Sequence, residues 1–281
     1  MLYLIFAALG LIQGIAEFLP ISSSGHLSLF QHFFGLQQAD MLLNILLHFS
    51  TMIAVWVYYY KDLWEMIMEF FRWLGSLFSG KKSRGEAVPD GRRMVWLLVL
   101  GTLPLVVVLL FKDAVERMCD RPVFVSCALI VTGTMLFFSD RMAKGRKSVK
   151  NASFRDVLFV GVAQALATVP GISRSGTTIT AGLARGFDRA FAVRFSFLMS
   201  LPAIVGATLL EVVDVVNQPE LLDLSRMPAY IVGMLVSGIV GYFAIGLINK
   251  LVSKGRFGVF SYYCWAAGAL FLVLSLTGWT L

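Results

Sequence analysis

The sequence predicts an all-α polytopic membrane protein, with six transmembrane helices and two re-entrant helical hairpins in an inverted-topology repeat. Three observations predict it. Hydrophobic residues make up 58% of the 281 and charged residues only 15%, with mean hydropathy +0.77. Soluble domains carry about 45–50% apolar and about 25% charged residues. Two stretches nearly repeat each other: residues 10–26, GLIQGIAEFLPISSSGH, and residues 161–177, GVAQALATVPGISRSGT, agree at seven of seventeen positions with an offset of 151. Finally, Lys and Arg are sorted between alternate loops.

The first element, residues 1–34, is apolar but interrupted. Pro20 followed by Ser22, Ser23, Ser24 and Gly25 cannot continue a lipid-exposed helix. Irregular backbone at membrane depth survives only when buried in protein or lining a wet cavity. A re-entrant hairpin with the polar loop at its tip is therefore expected. Span one is expected at 42–60, since a run near 20 apolar residues crosses a ~30 Å hydrocarbon core. Residues 61–78 put Asp62, Glu65, Glu69 and Arg72 on one helical face, with Trp64, Ile67, Met68, Phe71 and Trp73 largely off it. That pattern reads equally as an interfacial amphipathic helix on the cytoplasmic side or as an extension of span one. Spans two and three follow at 94–111 and 122–138. The second hairpin, 157–190, is broken by Pro170-Gly171 and then Ser173-Arg174-Ser175-Gly176. Spans four, five and six fall at 195–212, 228–248 and 258–278.

Loop charges test this topology. Loops 79–93, 139–155 and 249–257 hold five, six and three Lys/Arg; loops 35–41, 112–121 and 211–227 hold none, three and one. The positive-inside rule then places both termini outside. Counting either hairpin as a span would reverse the side of everything after it. One hairpin plus three spans is an odd number of crossings, so the second half is inverted relative to the first. The expected organisation is a single integral membrane domain, 1–281, with repeat 1 at 1–140 and repeat 2 at 156–281. Gly101 and Gly233, and Gly133 and Gly268, extend the correspondence. In such repeats broken helices commonly place a site near the midplane, where the two tips are expected to meet.

The net charge of +7 sits mostly in loops. It fits topology signals and anionic membrane lipids rather than nucleic acid. Cys119, Cys127 and Cys264 show no metal or redox spacing and read as packing residues. Residues 1–20 lack a basic n-region and an A-x-A cleavage site, so they are not read as a removed signal peptide. Asp214, Glu220 and Asp223 read as a solvated outer loop, and His32 as interfacial.

The polar residues inside the two interrupted segments carry the chemistry. Arg174 is costly in apolar surroundings, about 2.5–3.5 kcal/mol at the bilayer centre on insertion scales. It is flanked by Gly171, Ser173, Ser175, Gly176, Thr177 and Thr178. Small residues let backbone N–H groups approach a ligand, hydroxyls add donors, and the restarting helix points its positive end into the site. The guanidinium fork suits phosphate oxygens. Gln13 and Glu17, spaced i, i+4, share one helical face. Glu17 either neutralises Arg174 or acts as an acid/base group or metal ligand. With Gln13 as a second oxygen ligand, it suits Mg²⁺ or Ca²⁺. His26, beside Ser22, Ser23 and Ser24, is a candidate base for a serine hydroxyl or an acid for a leaving group. At least one of the three serines is expected to cap a helix. His48, near Asn44 and Ser50, is placed to line the cavity.

Gln13-x-x-x-Glu17 leading into LPISSSGH, followed by Pro170-Gly171-Ile172-Ser173-Arg174-Ser175-Gly176-Thr177-Thr178, resembles the undecaprenyl-diphosphate phosphatase family, the bacitracin-resistance proteins. The resemblance covers essentially the whole chain. It implies removal of the terminal phosphate from undecaprenyl diphosphate, giving undecaprenyl phosphate and inorganic phosphate and recycling the lipid carrier of cell-wall synthesis. It further implies a divalent cation, a bacterial cytoplasmic (inner) membrane and an active site opening to the outer face. By position it makes Glu17, Ser23, His26, Ser173, Arg174 and Thr178 active-site residues. Gln13 stands where the family pattern also allows an acid, which leaves one fewer carboxylate for a metal. Asn44 and Ser50 depart from the acid and glycine expected around His48.

The expected mechanism is attack by Ser23 on the terminal phosphorus, with His26 as base and Glu17 holding a metal or orienting His26. Attack by His26 or by a metal-activated water stays open. The rival class is a polyprenyl-phosphate flippase or a secondary transporter of an anionic substrate, which could use the same residues to bind without cleaving. Gly233, Ser237 and Gly241, at i, i+4 and i+8, could seat a helix–helix contact, in a homodimer or within the monomer.

Overall fold

The computed structural model describes residues 1–27, 41–78, 88–111, 115, 118, 121–142, 144–217 and 224–277. The expected returning leg of the first hairpin beyond Leu27, His32, Cys119, Glu220, Asp223, the side chain of Asp214 and much of the inter-span loops lie outside the described residues.

Among the described residues the chain is helical, with a single bridge between Lys147 and Phe187 as its only β pairing. Helix α1 is Leu2–Ala16. It ends where Pro20 cannot donate, passes through a turn, and restarts as a short helical stretch over 23–27. Helices α2 (Met41–Tyr58) and α3 (Tyr60–Phe78) follow. Next come α4 (Asp90–Val108), with a 3₁₀ tail at Leu109–Phe111, and α5 (Pro122–Ser139). The second interrupted segment supplies α6 (Phe154–Leu166) and α7 (Arg174–Ala184). Helices α8 (Arg189–Asn217), α9 (Met227–Ser253) and α10 (Phe260–Leu276) complete the chain.

Among the described residues five stretches are long and apolar enough to cross a membrane: Asp90–Phe111, Pro122–Ser139, Arg189–Leu210, Met227–Ser253 and Phe257–Leu276. The α2–α3 pair makes a sixth candidate, but it is bent by 82°. The bend turns α3 off the axis of α2, so residues 61–78 do not continue span one as a straight helix. Of the charged face of α3, Glu69 and Asp62 are turned toward the protein, while Glu65 and Arg72 are exposed. Glu69 is buried and pairs with Arg72 at 2.6 Å and with Arg92 of α4 at 3.4 Å. Asp62 pairs with Arg194 of α8 at 3.1 Å. The exposed side carries Tyr60, Trp64, Phe70 and Phe71, the amphipathic aromatic composition favoured at a membrane interface.

Small residues set the helix contacts. A Cβ on Gly10 of α1 would fall on the carbonyl of Gly233 in α9, and a Cβ on Gly161 of α6 would fall on the carbonyl of Gly101 in α4. The α5–α10 pair behaves alike: Gly133 abuts Trp265 and the Ser261 carbonyl, while Gly268 abuts Ile130 and the Ser126 carbonyl. The stripe Gly233, Ser237 and Gly241 is buried within the chain, with Gly14 of α1 against Ser237 and Gly241. Its use is thus intramolecular packing, and it marks no homodimer surface. One large apolar core includes Leu97, Val157, Val160, Phe195, Leu198 and Ile245. A smaller, separate cluster holds Phe6, Leu43, Leu47 and Tyr230.

Candidate active site

The two interruptions touch. A Cβ on Gly25 would lie 3.5 Å from Gly171 Cα, and one on Gly176 would lie 3.1 Å from Pro20 Cβ. Ser175 Oγ reaches across to the Leu19 carbonyl at 3.4 Å. Local sequence makes each turn. Ser22 takes a left-handed backbone, φ 69°, which is uncommon for a side-chain-bearing residue. Gly171 has φ +89° and sits where a Cβ would strike the Val125 carbonyl and Ala128 of α5, so glycine is required there. Thr132 of α5 ties the second turn down. Its hydroxyl donates to the Gly171 carbonyl at 3.0 Å and accepts from the Ser173 N–H at 3.1 Å. Ser173 then caps α7, accepting from the Gly176 N–H at 3.2 Å.

Glu17 lies at the centre. It caps the C-terminus of α1 and is 5% exposed. One oxygen, Oε1, pairs with the Arg174 guanidinium at the N-terminus of α7. The other, Oε2, accepts from the Ser23 hydroxyl at 2.7 Å and from Gln13 Nε2 at 3.1 Å. His48 Nε2 stands 3.9 Å from that same oxygen, its Nδ1 meeting the Asn44 carbonyl at 2.9 Å. A buried carboxylate is tolerable because every approach to it brings a donor or a positive charge.

The expected pairing of Ser23 with His26 as its base is not the contact the structure makes. Ser23 donates to Glu17 instead. His26 is buried, with Nδ1 2.9 Å from the Ser22 carbonyl and Nε2 2.7 Å from the Tyr263 hydroxyl of α10. The physical reason is helical spacing: the Ser22 carbonyl, which accepts the His26 backbone N–H at 3.2 Å, also lies within reach of the His26 ring four residues on, while Ser23 points to Glu17. Ser22 and Ser24 hydroxyls lie 3.5 Å apart, and those of Ser173 and Ser175 3.3 Å apart. Thr178 is turned to α8, where its hydroxyl meets Ser196 Oγ at 2.6 Å. Thr177 Oγ1 is buried with no hydrogen-bond partner among the described residues. Sequence reasoning missed Thr132, Ser196 and Tyr263. Each lies on a largely apolar helix among other hydroxyl-bearing residues, and no local spacing distinguishes it.

Among the described residues no three His, Cys, Asp or Glu side chains gather to hold a metal. The oxygen donors fit a harder ion. Gln13 Oε1 is buried without a hydrogen-bond partner beside the Glu17 carboxylate. One carboxylate and a carbonyl, completed by water and substrate phosphate, is the donor set Mg²⁺ accepts.

The class this defines is a polytopic all-α membrane protein whose two broken helices meet at a buried Glu–Arg pair ringed by hydroxyls. The chain belongs to the family described as bacitracin resistance protein BacA, whose family model matches residues 6–270. It is 38% identical over 272 residues to a protein of Methanosphaera stadtmanae named undecaprenyl-diphosphatase, covering 95% of this chain and 96% of that one. A protein of the same name from Desulfosudis oleivorans is 39% identical over 268 residues, 95% and 97% of the two chains. Undecaprenyl-diphosphatase 3 of Bacillus cereus is 40% identical over 270 residues, 96% of each.

Proposed function

We propose that the chain is an undecaprenyl-diphosphatase, hydrolysing undecaprenyl diphosphate to undecaprenyl phosphate and inorganic phosphate. Recycling of the cell-wall lipid carrier and bacitracin resistance follow from that activity. The observation that carries the reading is the Glu17 carboxylate shared between Arg174 and the Ser23 hydroxyl. A passive anion site needs donors. It does not need a carboxylate that accepts a hydroxyl proton beside the anion-binding arginine.

The chain's own residues suggest the steps. Arg174 and the N–H groups opening α7 take the diphosphate oxygens, and the incoming charge draws Arg174 from Glu17. Glu17, released, accepts the Ser23 proton as Ser23 Oγ attacks the terminal phosphorus. The P–O–P bond breaks and undecaprenyl phosphate leaves. Water then resolves the phosphoserine to inorganic phosphate: Glu17 returns its proton to the leaving Ser23 oxygen and takes one from the attacking water. Positioning and charge stabilisation supply most of the catalysis in phosphoryl transfer. A Mg²⁺ or Ca²⁺ ion, held by Glu17 and Gln13 when bound, supplies further neutralisation of the diphosphate.

For architecture, the same reading takes repeats 1–140 and 156–281 as inverted halves, with re-entrant hairpins at 1–34 and 157–190. The matched contacts Gly10–Gly233 and Gly161–Gly101 support it, since equivalent glycines meet in both halves. On this reading both termini and the site opening face outward from the cytoplasmic membrane, a reading the loop charges support. The polyprenyl tail stays in lipid. The flippase or transporter reading shares this architecture. Phosphate release from a polyprenyl diphosphate by purified protein separates them, measured with and without EDTA and beside Arg174→Ala. Release by the wild type and its loss in the variant support cleavage. No release under any metal condition selects transport.

A further inference from the structure

His48 reaches the site from α2, a helix outside both broken segments. Its Nδ1 lies 2.9 Å from the Asn44 carbonyl, which can only accept, so Nδ1 carries a hydrogen. Nε2, at the other side of the ring, has no hydrogen-bond partner among the described residues and faces Glu17 Oε2 at 3.9 Å. That separation is too long for a hydrogen bond. The same carboxylate oxygen accepts from Gln13 Nε2 at 3.1 Å, and the Gln13 amide carries its Oε1 buried without a partner. An imidazole and a carboxamide, each with an unused acceptor atom, thus converge on one carboxylate. The His48 side chain is 28% exposed against 3% for Glu17, so the ring stands at the more open edge of the buried group.

We propose that His48 Nε2 is a third protein ligand of the divalent cation, beside Glu17 Oε2 and Gln13 Oε1. An imidazole that holds a metal ordinarily donates its other ring N–H to a carbonyl or carboxylate, which fixes the tautomer and aims the ring. The Asn44 carbonyl does this for His48. A charged ring paired directly with Glu17 would sit about 2.7–2.9 Å from it; the 3.9 Å gap leaves room between the two atoms. Neighbouring ligands of an octahedral ion with bonds of about 2.1 Å lie about 3 Å apart, so about 1 Å of side-chain movement brings both onto one ion. The nitrogen also changes which ion the site prefers. Carboxylate and carbonyl oxygens suit Mg²⁺ and Ca²⁺, whereas imidazole suits the transition ions, so this set favours Mn²⁺ over Ca²⁺. The inference rests on the cation reading above, which itself needs only Glu17 and Gln13.

The test is Mn²⁺ bound to the purified full chain, free of any histidine tag, and read by pulsed electron paramagnetic resonance. The chain has three histidines, His26, His32 and His48. Spectra of wild-type protein grown with unlabelled and with nitrogen-labelled histidine show whether a histidine nitrogen sits on the metal, and this arm needs no variant. The expected result is a histidine coupling in the wild type that disappears in His48→Gln, with Mn²⁺ bound at least about tenfold more weakly there. The coupling is expected to remain in the double variant His26→Asn/His32→Asn, where His48 is the sole histidine; that variant decides the matter if His48→Gln does not fold, and loss of the coupling in it refutes the assignment. Bound Mn²⁺ without histidine coupling, or a coupling that survives His48→Gln, overturns the proposal and leaves Glu17 and Gln13 as the ligands. A signal that persists in Glu17→Gln belongs to another site and overturns it too. Failure of the wild type to bind Mn²⁺ at all removes both the proposal and the cation reading beneath it.

Discussion

Glu17 and Arg174 form an ion pair across 157 positions of sequence, joining the end of α1 to the start of α7. The pair lies at the junction of two helices that each break inside apolar surroundings, so it binds the two turns together and holds the charge that would receive a phosphate.

Arg174→Ala removes the fork and strands a buried carboxylate. A fall of at least about 10²-fold in kcat/KM is expected from the lost charge stabilisation. Breaking one side of a buried pair costs about 3–5 kcal/mol; the 21% exposure of the Arg174 side chain puts this case below that range. Adding Glu17→Gln to Arg174→Ala should restore the melting temperature without restoring activity. A double variant that melts no higher than the single one removes the pair from the stability argument.

Ser23→Ala tests the nucleophile. Its hydroxyl donates to Glu17 at 2.7 Å, and its loss should abolish phosphate release while leaving substrate binding within about tenfold, since one hydrogen bond contributes about 0.5–1.5 kcal/mol. Near-wild-type release would turn the reaction over to water.

EDTA should stop phosphate release, and Mg²⁺ or Ca²⁺ should restore it. Gln13→Ala, which deletes the buried Oε1 that lacks a partner, should raise the metal concentration needed for half-maximal rate. Full activity in EDTA after dialysis would dismiss the cation.

Helix contacts predict a matched pair of stability effects. Gly10→Ala and Gly161→Ala each push a methyl onto a facing backbone carbonyl, and overpacking costs about 1–3 kcal/mol. Gly75→Ala, where a Cβ meets nothing within 4 Å, should be neutral or stabilise by up to about 1 kcal/mol, from helix propensity. Melting in detergent reads all three. Equal melting temperatures across the set would contradict the close approach.

Asp156, in the first turn of α6, gives a pH signature. Burial by itself would raise its carboxyl, but hydrogen bonds from Lys147, Ser153 and Arg185 outweigh it and hold the group below the usual range. A carboxyl lowered on folding contributes stability that is complete above its unfolded value and is lost as pH falls through the folded one. The melting-temperature gap between wild type and Asp156→Asn should be constant near neutrality and close below about pH 4. A gap that is unchanged at low pH would refute the charge-based account.

Composition alone determined that this chain lives in a membrane, because 58% hydrophobic and 15% charged residues leave too few polar groups for a water-facing shell. The polar turns also stood out in sequence, since a serine–glycine–proline break between apolar runs has no use in a lipid-exposed helix. Gln13, Glu17, Ser23, His26 and Arg174 could be named from their local surroundings. Their partners could not. Which hydroxyl meets Glu17 depends on the turn at Ser22. Tyr263 reaches the first turn from 237 positions away, and Thr132 reaches the second from 39. Whether Gly233 and Gly241 face another copy or α1 was likewise undecidable from spacing, because a small-residue stripe permits close approach without specifying the neighbour. Tertiary packing made those choices: the helices settle where facing backbones can touch, and that fixes which side chains converge.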